Sequence, residues 1–229
     1  MSIGRQPPHL SPLTRAMCSF AGIGVLLFVP AGTVQWLGAW VFLFEISIGG
    51  LVTESWLARR DPDLLAERRS TRGQVGWDRI LTTIIPLLWL GWLPLMALDA
   101  ARFQWSAVPG WLQWIGAVIL AASFFLVHLT YRANSYAAPV VKIQRERGHT
   151  AITTGPYGYV RHPIYASGLL SYLGTPLLLG SWYGLAIVPV MAALLAFRAV
   201  MEERMLKAEL DGYLEYSTRV RYRLLPMVW

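Results

Sequence analysis

The stretch Thr154-Gly155-Pro156-Tyr157-Gly158-Tyr159-Val160-Arg161-His162-Pro163-Ile164-Tyr165 sets an arginine, a histidine and tyrosines among glycines and prolines, just where an apolar run begins. Glycine and proline fix a tight backbone there. Pro163 suits the first position of a helix, which would put Arg161 and His162 beside the helix start. Free backbone N–H groups and two cationic or polar side chains would then converge into an anion-binding arrangement. The same residues also suit an interfacial loop whose Arg and Tyr side chains snorkel to the membrane surface, and residue type alone leaves both readings open.

A second feature is the acidic pair Glu202-Glu203, near the end of the last apolar run. Adjacent helical positions point about 100° apart, so at most one carboxylate faces a given pocket squarely. Arg198 with Glu202, and Glu203 with Lys207, stand at i, i+4 spacing, where an ion pair contributes about 0.3–0.5 kcal/mol. Carboxylates this close to lipid are costly, which points to function. The tail adds Tyr213, Tyr216, Arg219, Arg221, Tyr222, Arg223 and Pro226, by themselves a polybasic segment suited to a membrane surface.

These residues must be positioned by helices in a bilayer. The chain of 229 residues is 55% hydrophobic and 14% charged, with a mean hydropathy of +0.44. Soluble domains carry about 25% charged residues, so the deficit decides the class. Apolar runs at spanning length fall near 15–33, 36–57, 80–99 and 111–131, then as a pair at 164–180 and 181–201. A turn around Gly32 makes a hairpin of the first two, and Gly180-Ser181 divides the last two. The segment 58–79 reads as an Arg-rich linker, 132–163 as a structured loop, and 200–218 as an amphipathic helix. Residues 1–16 are polar and Pro-rich and form no removable signal peptide. Cys18 reads as a packed core residue, Glu45 as an interhelical hydrogen-bonding group and His128 as a satisfied packing residue.

The net charge of +7 could suggest nucleic acid, but the basic residues lie between apolar runs. Of the 20 Lys and Arg residues, 19 fall on one side of this arrangement and only Arg102 on the other. That asymmetry puts both termini, the linker and the long loop in the cytoplasm.

Taken together, Asn134, Gly148-His149, Gly155-Pro156-Tyr157, Arg161-His162-Pro163-Ile164-Tyr165, Glu202-Glu203, Gly212-Tyr213, Tyr216, Arg219 and Pro226 resemble the isoprenylcysteine carboxyl methyltransferase family, in its prokaryotic membrane branch related to phospholipid methyltransferases. The likeness covers roughly 130–229; the earlier spans match only as hydrophobic helices. Ala166-Ser167-Gly168 departs from the pattern, where a glycine more often follows the motif tyrosine directly or after one residue.

The resemblance implies an all-α, polytopic bundle of five to six spans, with N-terminal membrane helices over 1–131 and a methyltransferase core over 132–229. It implies S-adenosylmethionine as cofactor and a lipid-soluble acceptor, most simply an isoprenylcysteine-like carboxylate, reached from the bilayer. Carried over by position, Tyr157, Tyr159, Arg161, His162, Pro163, Tyr165, Glu202 and Glu203 would line the cofactor. Asn134 and Tyr216 would contact the acceptor, and Arg219 would hold the acceptor carboxylate and so serve catalysis. The sulfonium, ammonium and carboxylate of such a cofactor suit tyrosine faces, acidic side chains and a cationic helix start. Phospholipids and small thiols are alternative acceptors. Membrane sterol reductases resemble the same region but use a nicotinamide, and a transporter or heme-handling protein would rely on Glu45 and His128 instead. An excess of arginine over lysine weakly suggests a GC-rich bacterial source, hence an inner membrane.

The charge count makes a direct prediction. A reporter fused after Trp229 should read as cytoplasmic and one inserted beside Arg102 as external; an external Trp229 would overturn the arrangement of spans.

Overall fold

The computed structural model describes residues 11–229 and is all-helical, with no strand among them. Arg5, one of the basic residues counted above, lies outside the described residues. The helices are α1 (Pro12–Ala31), α2 (Leu37–Arg60), α3 (Pro62–Glu67), α4 (Gly76–Ala97), α5 (Gly110–Ala133), α6 (Pro163–Leu179), α7 (Trp182–Glu209) and α8 (Tyr213–Arg219). Helices α1, α2, α4 with a π-helical extension at Leu98–Phe103, α5 and α7 are long and apolar enough to cross a membrane. At 17 residues α6 is shorter, and it forms a hairpin with α7.

The turns follow from local chemistry. The Ser11 hydroxyl caps α1 by accepting from Thr14 N at 3.1 Å. Gly32, at φ +69°, closes α1 in the left-handed region and turns the chain into α2. Gly180, at φ +82°, does the same for α6, and Ser181 caps α7 through Gly184 N at 2.8 Å. The linker after α2 is partly helical: the Asp61 carboxylate accepts from Leu64 N at 2.9 Å, and Pro62 opens α3.

Packing is closest between α5 and α6, where two glycines let the backbones touch. A Cβ on Gly116 would stand 2.4 Å from Leu178 N, and one on Gly174 would stand 2.8 Å from Gly116 O. Leu27, Phe42, Trp92, Leu120 and Leu179 fill the main core. At the end holding the α1–α2 and α6–α7 turns, the buried Asp99 carboxylate accepts from the hydroxyls of Ser181 (2.5 Å) and Ser106, tying α4 to the hairpin.

Several expectations are corrected. The helix anticipated over 200–218 is broken: α7 runs on to Glu209, Gly212 takes φ +77°, and α8 is a separate short helix. Cys18 is exposed on α1, so it packs in no core. Neither Glu45 Oε2 nor His128 Nδ1 has a hydrogen-bond partner among the described residues, although His128 meets the Trp56 ring edge-on at 5.5 Å. Arg198 pairs with Asp78 at 2.8 Å in place of Glu202.

The glycine contact is testable. Gly116→Leu should force α5 from α6 and lower the melting temperature in detergent by several degrees, on the order of 1–3 kcal/mol. Gly22→Leu, where a Cβ meets nothing within 4 Å, should leave it unchanged. Equal melting temperatures would mean the helices are not held by this contact.

Candidate functional site

The loop between α5 and α6 is irregular, so its polar backbone needs partners, and side chains from distant elements supply them. Buried Asp78 accepts from Val141 N at 2.8 Å and from Gln74 Nε2 at 3.1 Å. Arg198, paired with Asp78, also donates to Pro139 O at 2.6 Å. Lys142 forms an ion pair with Glu67 of α3 and donates to Arg72 O at 3.1 Å. The loop is thereby fixed to α3, α4 and α7.

Its second half is held by Glu203. This carboxylate, 2% exposed, accepts from Arg161 Nε at 2.7 Å and Nη2 at 3.2 Å, from Arg223 Nε at 3.1 Å, and lies 3.2 Å from His162 Nε2. Lys207 stands 4.0 Å away, the i, i+4 partner anticipated in the sequence. The Nη1 of Arg161 donates to the carbonyls of Ser217 (3.3 Å), Val220 (2.9 Å) and Arg221 (3.0 Å). The backbone N–H groups of Arg161 and His162 donate to Tyr222 O and Arg223 O, each at 2.9 Å. This corrects the expected anion site at the helix start. Pro163 does begin α6, but the neighbouring N–H groups are consumed by the C-terminal tail.

Beside this knot lies a cavity of about 320 Å³. Asn134, Tyr157, Arg161, His162, Tyr165, Glu202 and Tyr216 of the anticipated site line it. Glu202 accepts from the Tyr165 hydroxyl at 2.5 Å, with His162 Nδ1 3.9 Å away. The Asn134 amide donates to Tyr157 Oη at 2.7 Å, and Tyr216 donates to Tyr157 O at 2.8 Å. The acidic pair therefore divides as helical geometry requires: Glu202 faces the cavity and Glu203 faces the knot.

Besides Glu203, three anticipated residues do not reach this cavity. Tyr159 is 74% exposed and lines a separate apolar groove with Leu126 and Leu170. Pro163 is buried behind the cavity wall. Arg219 projects outward from α8, its side chain 64% exposed and 3.6 Å from Glu215.

The cavity also gathers residues that the site reading missed: Arg68, Tyr131, Tyr136, His149, Arg198 and Tyr213. Tyr213 could have been found, since it sits with Gly212 in the tail motif. Tyr136 and His149 stack at 4.4 Å. Burial and the Arg147 guanidinium push His149 down to about 4, so its ring is neutral at pH 7. Burial raises the Tyr157, Tyr213 and Tyr216 phenols well above their ordinary range, so all three stay protonated donors. The Tyr213 hydroxyl is buried without a hydrogen-bond partner among the described residues.

A family model described as Phospholipid methyltransferase matches residues 111–210. That stretch is similar to the phospholipid methyltransferase family. It runs from the start of α5 through the loop and both glutamates, and stops before Tyr213 and α8. Among curated proteins, the cobalt-zinc-cadmium resistance protein CzcN of Cupriavidus metallidurans is 26% identical over 65% of this chain. The nickel-cobalt-cadmium resistance protein NccN of Alcaligenes xylosoxydans xylosoxydans is 24% identical over 65% of it. The chain spans 62% and 63% of those two proteins. The five helices long and apolar enough to span make this an integral membrane protein.

Replacing Glu203 by Gln would leave Arg161 buried without its counter-charge, at a cost of about 3–5 kcal/mol. Backbone amide exchange at Arg161, His162 and residues 217–223 should accelerate together; unchanged protection there would show that Glu203 does not hold the tail.

Proposed function

We propose that the protein is an S-adenosylmethionine-dependent membrane methyltransferase that binds its cofactor in the cavity beside Glu202. The observation that carries this reading is the division of the acidic pair. Glu203 is saturated by cations, whereas Glu202 presents a carboxylate to a space walled by Tyr131, Tyr136, Tyr157, Tyr165, Tyr213 and Tyr216. A volume of about 320 Å³ falls within the range of small-molecule sites. The unpartnered Tyr213 hydroxyl supports the fit, because a buried donor without a partner costs stability unless a ligand accepts its hydrogen bond.

When bound, the cofactor supplies an activated methyl group on a sulfonium. Glu202 suits its ammonium, the tyrosine faces suit the sulfonium, and Tyr136 with the neutral His149 offers a flat surface for an adenine. The chain's own work is alignment and exclusion of water, which an in-line displacement chiefly requires.

The acceptor we favour is a lipid-borne carboxylate. A carboxylate is already ionised at pH 7 and needs no base, whereas an amine must first lose a proton. Tyr157, Tyr213 and Tyr216 are held protonated and His149 is a poor base, which suits the carboxylate. An ethanolamine phospholipid is the second reading, favoured by the description of the matching family. On this proposal residues 132–229 form the methyltransferase core, the loop faces the cytoplasm of a bacterial inner membrane, and Arg219 stands outside the chemistry.

Glu202→Gln removes one charge-assisted contact, so calorimetry should show S-adenosylmethionine affinity falling roughly ten- to a hundredfold. Tyr213→Phe should weaken it by a smaller factor, and Arg219→Ala should change neither affinity nor turnover beyond what Arg221→Ala does. Parent-like binding by Glu202→Gln would refute the site. Tritiated methyl transfer into a lipid extract separates the acceptors: alkali releases the label as volatile methanol from a methyl ester, whereas an N-methyl lipid keeps it on its headgroup.

A further inference from the structure

Beyond the cofactor cavity, a second cavity of about 290 Å³ lies among α1, α2, α3 and α5. The two share Arg68 and Tyr131 as a common wall, with the Arg68 guanidinium 4.4 Å from the Tyr131 ring centre. A third space of about 230 Å³ continues from the second between α1 and α2, sharing Arg15, Gly50 and Glu54 with it. The series thus passes from the tyrosine-walled cavity to a groove on α1, a helix with few fully buried residues.

The chemistry changes along this path. Arg15, Arg68 and Arg69 face the second cavity against one carboxylate, Glu54. Arg15 meets Glu54 at 3.6 Å, and no acidic side chain among the described residues lies within salt-bridge distance of Arg68 or Arg69. Arg15 Nε, Glu54 Oε2 and Ser47 Oγ are buried without hydrogen-bond partners among the described residues. Farther out the groove is lined by Ala16, Ser19, Ile23, Ile46 and Leu51.

Adjacent glycines in α2 mark the junction. Each costs about 1 kcal/mol relative to alanine inside a helix, so each calls for a reason. Gly49 has one in packing, since a Cβ there would stand 2.6 Å from the Phe124 ring. Gly50 has none: a Cβ meets nothing within 4 Å, and the residue borders both the second and third spaces.

We infer that these two spaces are the acceptor chamber, taking a molecule with an anionic head and a lipid tail. Arg68 and Arg69 receive the head against the Tyr131 wall, and the tail lies past Gly50 between α1 and α2. This rests on the methyltransferase reading for the cavity beyond the wall. It gives the acceptor anion a cationic partner that Arg219, on the far face of α8, does not provide.

The test uses the full chain in detergent, with tritiated N-acetyl-S-farnesylcysteine as a carboxylate probe and S-adenosylmethionine affinity measured on the same preparation. Gly50→Leu puts a side chain into the junction, where a Cβ meets nothing within 4 Å, and Arg68→Gln with Arg69→Gln removes the charge. Each should weaken the probe roughly tenfold or more; Gly50→Leu, at a residue that does not line the cofactor cavity, should leave S-adenosylmethionine affinity within about twofold. The methyl ester of the probe should respond to Gly50→Leu and ignore the arginine changes. Competition by lysophosphatidate tells a phosphate head from a carboxylate head, since the preferred head displaces the probe at lower concentration. Parent-like probe binding by Gly50→Leu, or by the double arginine variant should Gly50→Leu fail to fold, would overturn the chamber and redirect the acceptor to the groove bordered by Leu126 and Leu170. A parent that binds the probe but not S-adenosylmethionine would refute the cofactor reading and leave the chamber standing.

Discussion

A carboxylate withdrawn from water among apolar helices is tolerable only if cations and hydrogen bonds replace its hydration, and Glu203 sets that condition for the whole C-terminal half. Its demand is met by Arg161 and His162 from the loop and by Arg223 from the tail. Arg161 in turn has donors left over, and the carbonyls of Ser217, Val220 and Arg221 absorb them. Three chain segments far apart in sequence are thus bound to one helix position. The cavity exists because this knot holds the loop and α8 on opposite sides of a space that neither could enclose alone.

The neighbouring glutamate gains its character from the same arrangement. With Glu203 committed, one helical step turns Glu202 toward Tyr165 and the cavity, where no arginine closes on it. The sequence shows two identical side chains; the fold makes one a fastener and leaves the other facing the cavity. A parallel division separates the two buried aspartates. Asp78 pairs with Arg198 and fixes the loop, whereas Asp99 accepts from serine hydroxyls through Oδ2 alone and fixes the α6–α7 turn.

Hydropathy and turn chemistry made much of this legible. The hairpin at Gly32, the division at Gly180-Ser181 and the start of α6 at Pro163 all follow from short-range rules, and the structure has each of them. That only one carboxylate of the pair could face a pocket also followed from helical periodicity. What stayed hidden was long-range partnership. Nothing local announces that Arg198 prefers Asp78, 120 positions away, to Glu202 at one turn's distance, or that the Arg161 and His162 amides are taken by the tail. Arg219 was carried over by resemblance, which says nothing of the break at Gly212 that makes α8 a separate helix with Arg219 on its exposed side.

The tail's place in the knot bears on how the protein is made. Arg161, His162 and the rest of the loop leave the ribosome well before residues 217–223, yet their backbone N–H groups and the Arg161 guanidinium find their partners only there. A nascent chain therefore carries its membrane helices in place while the pocket wall is still unfastened. Closure of that wall is among the last folding events, so an interrupted translation product would reach the membrane with its helices formed and its pocket still open.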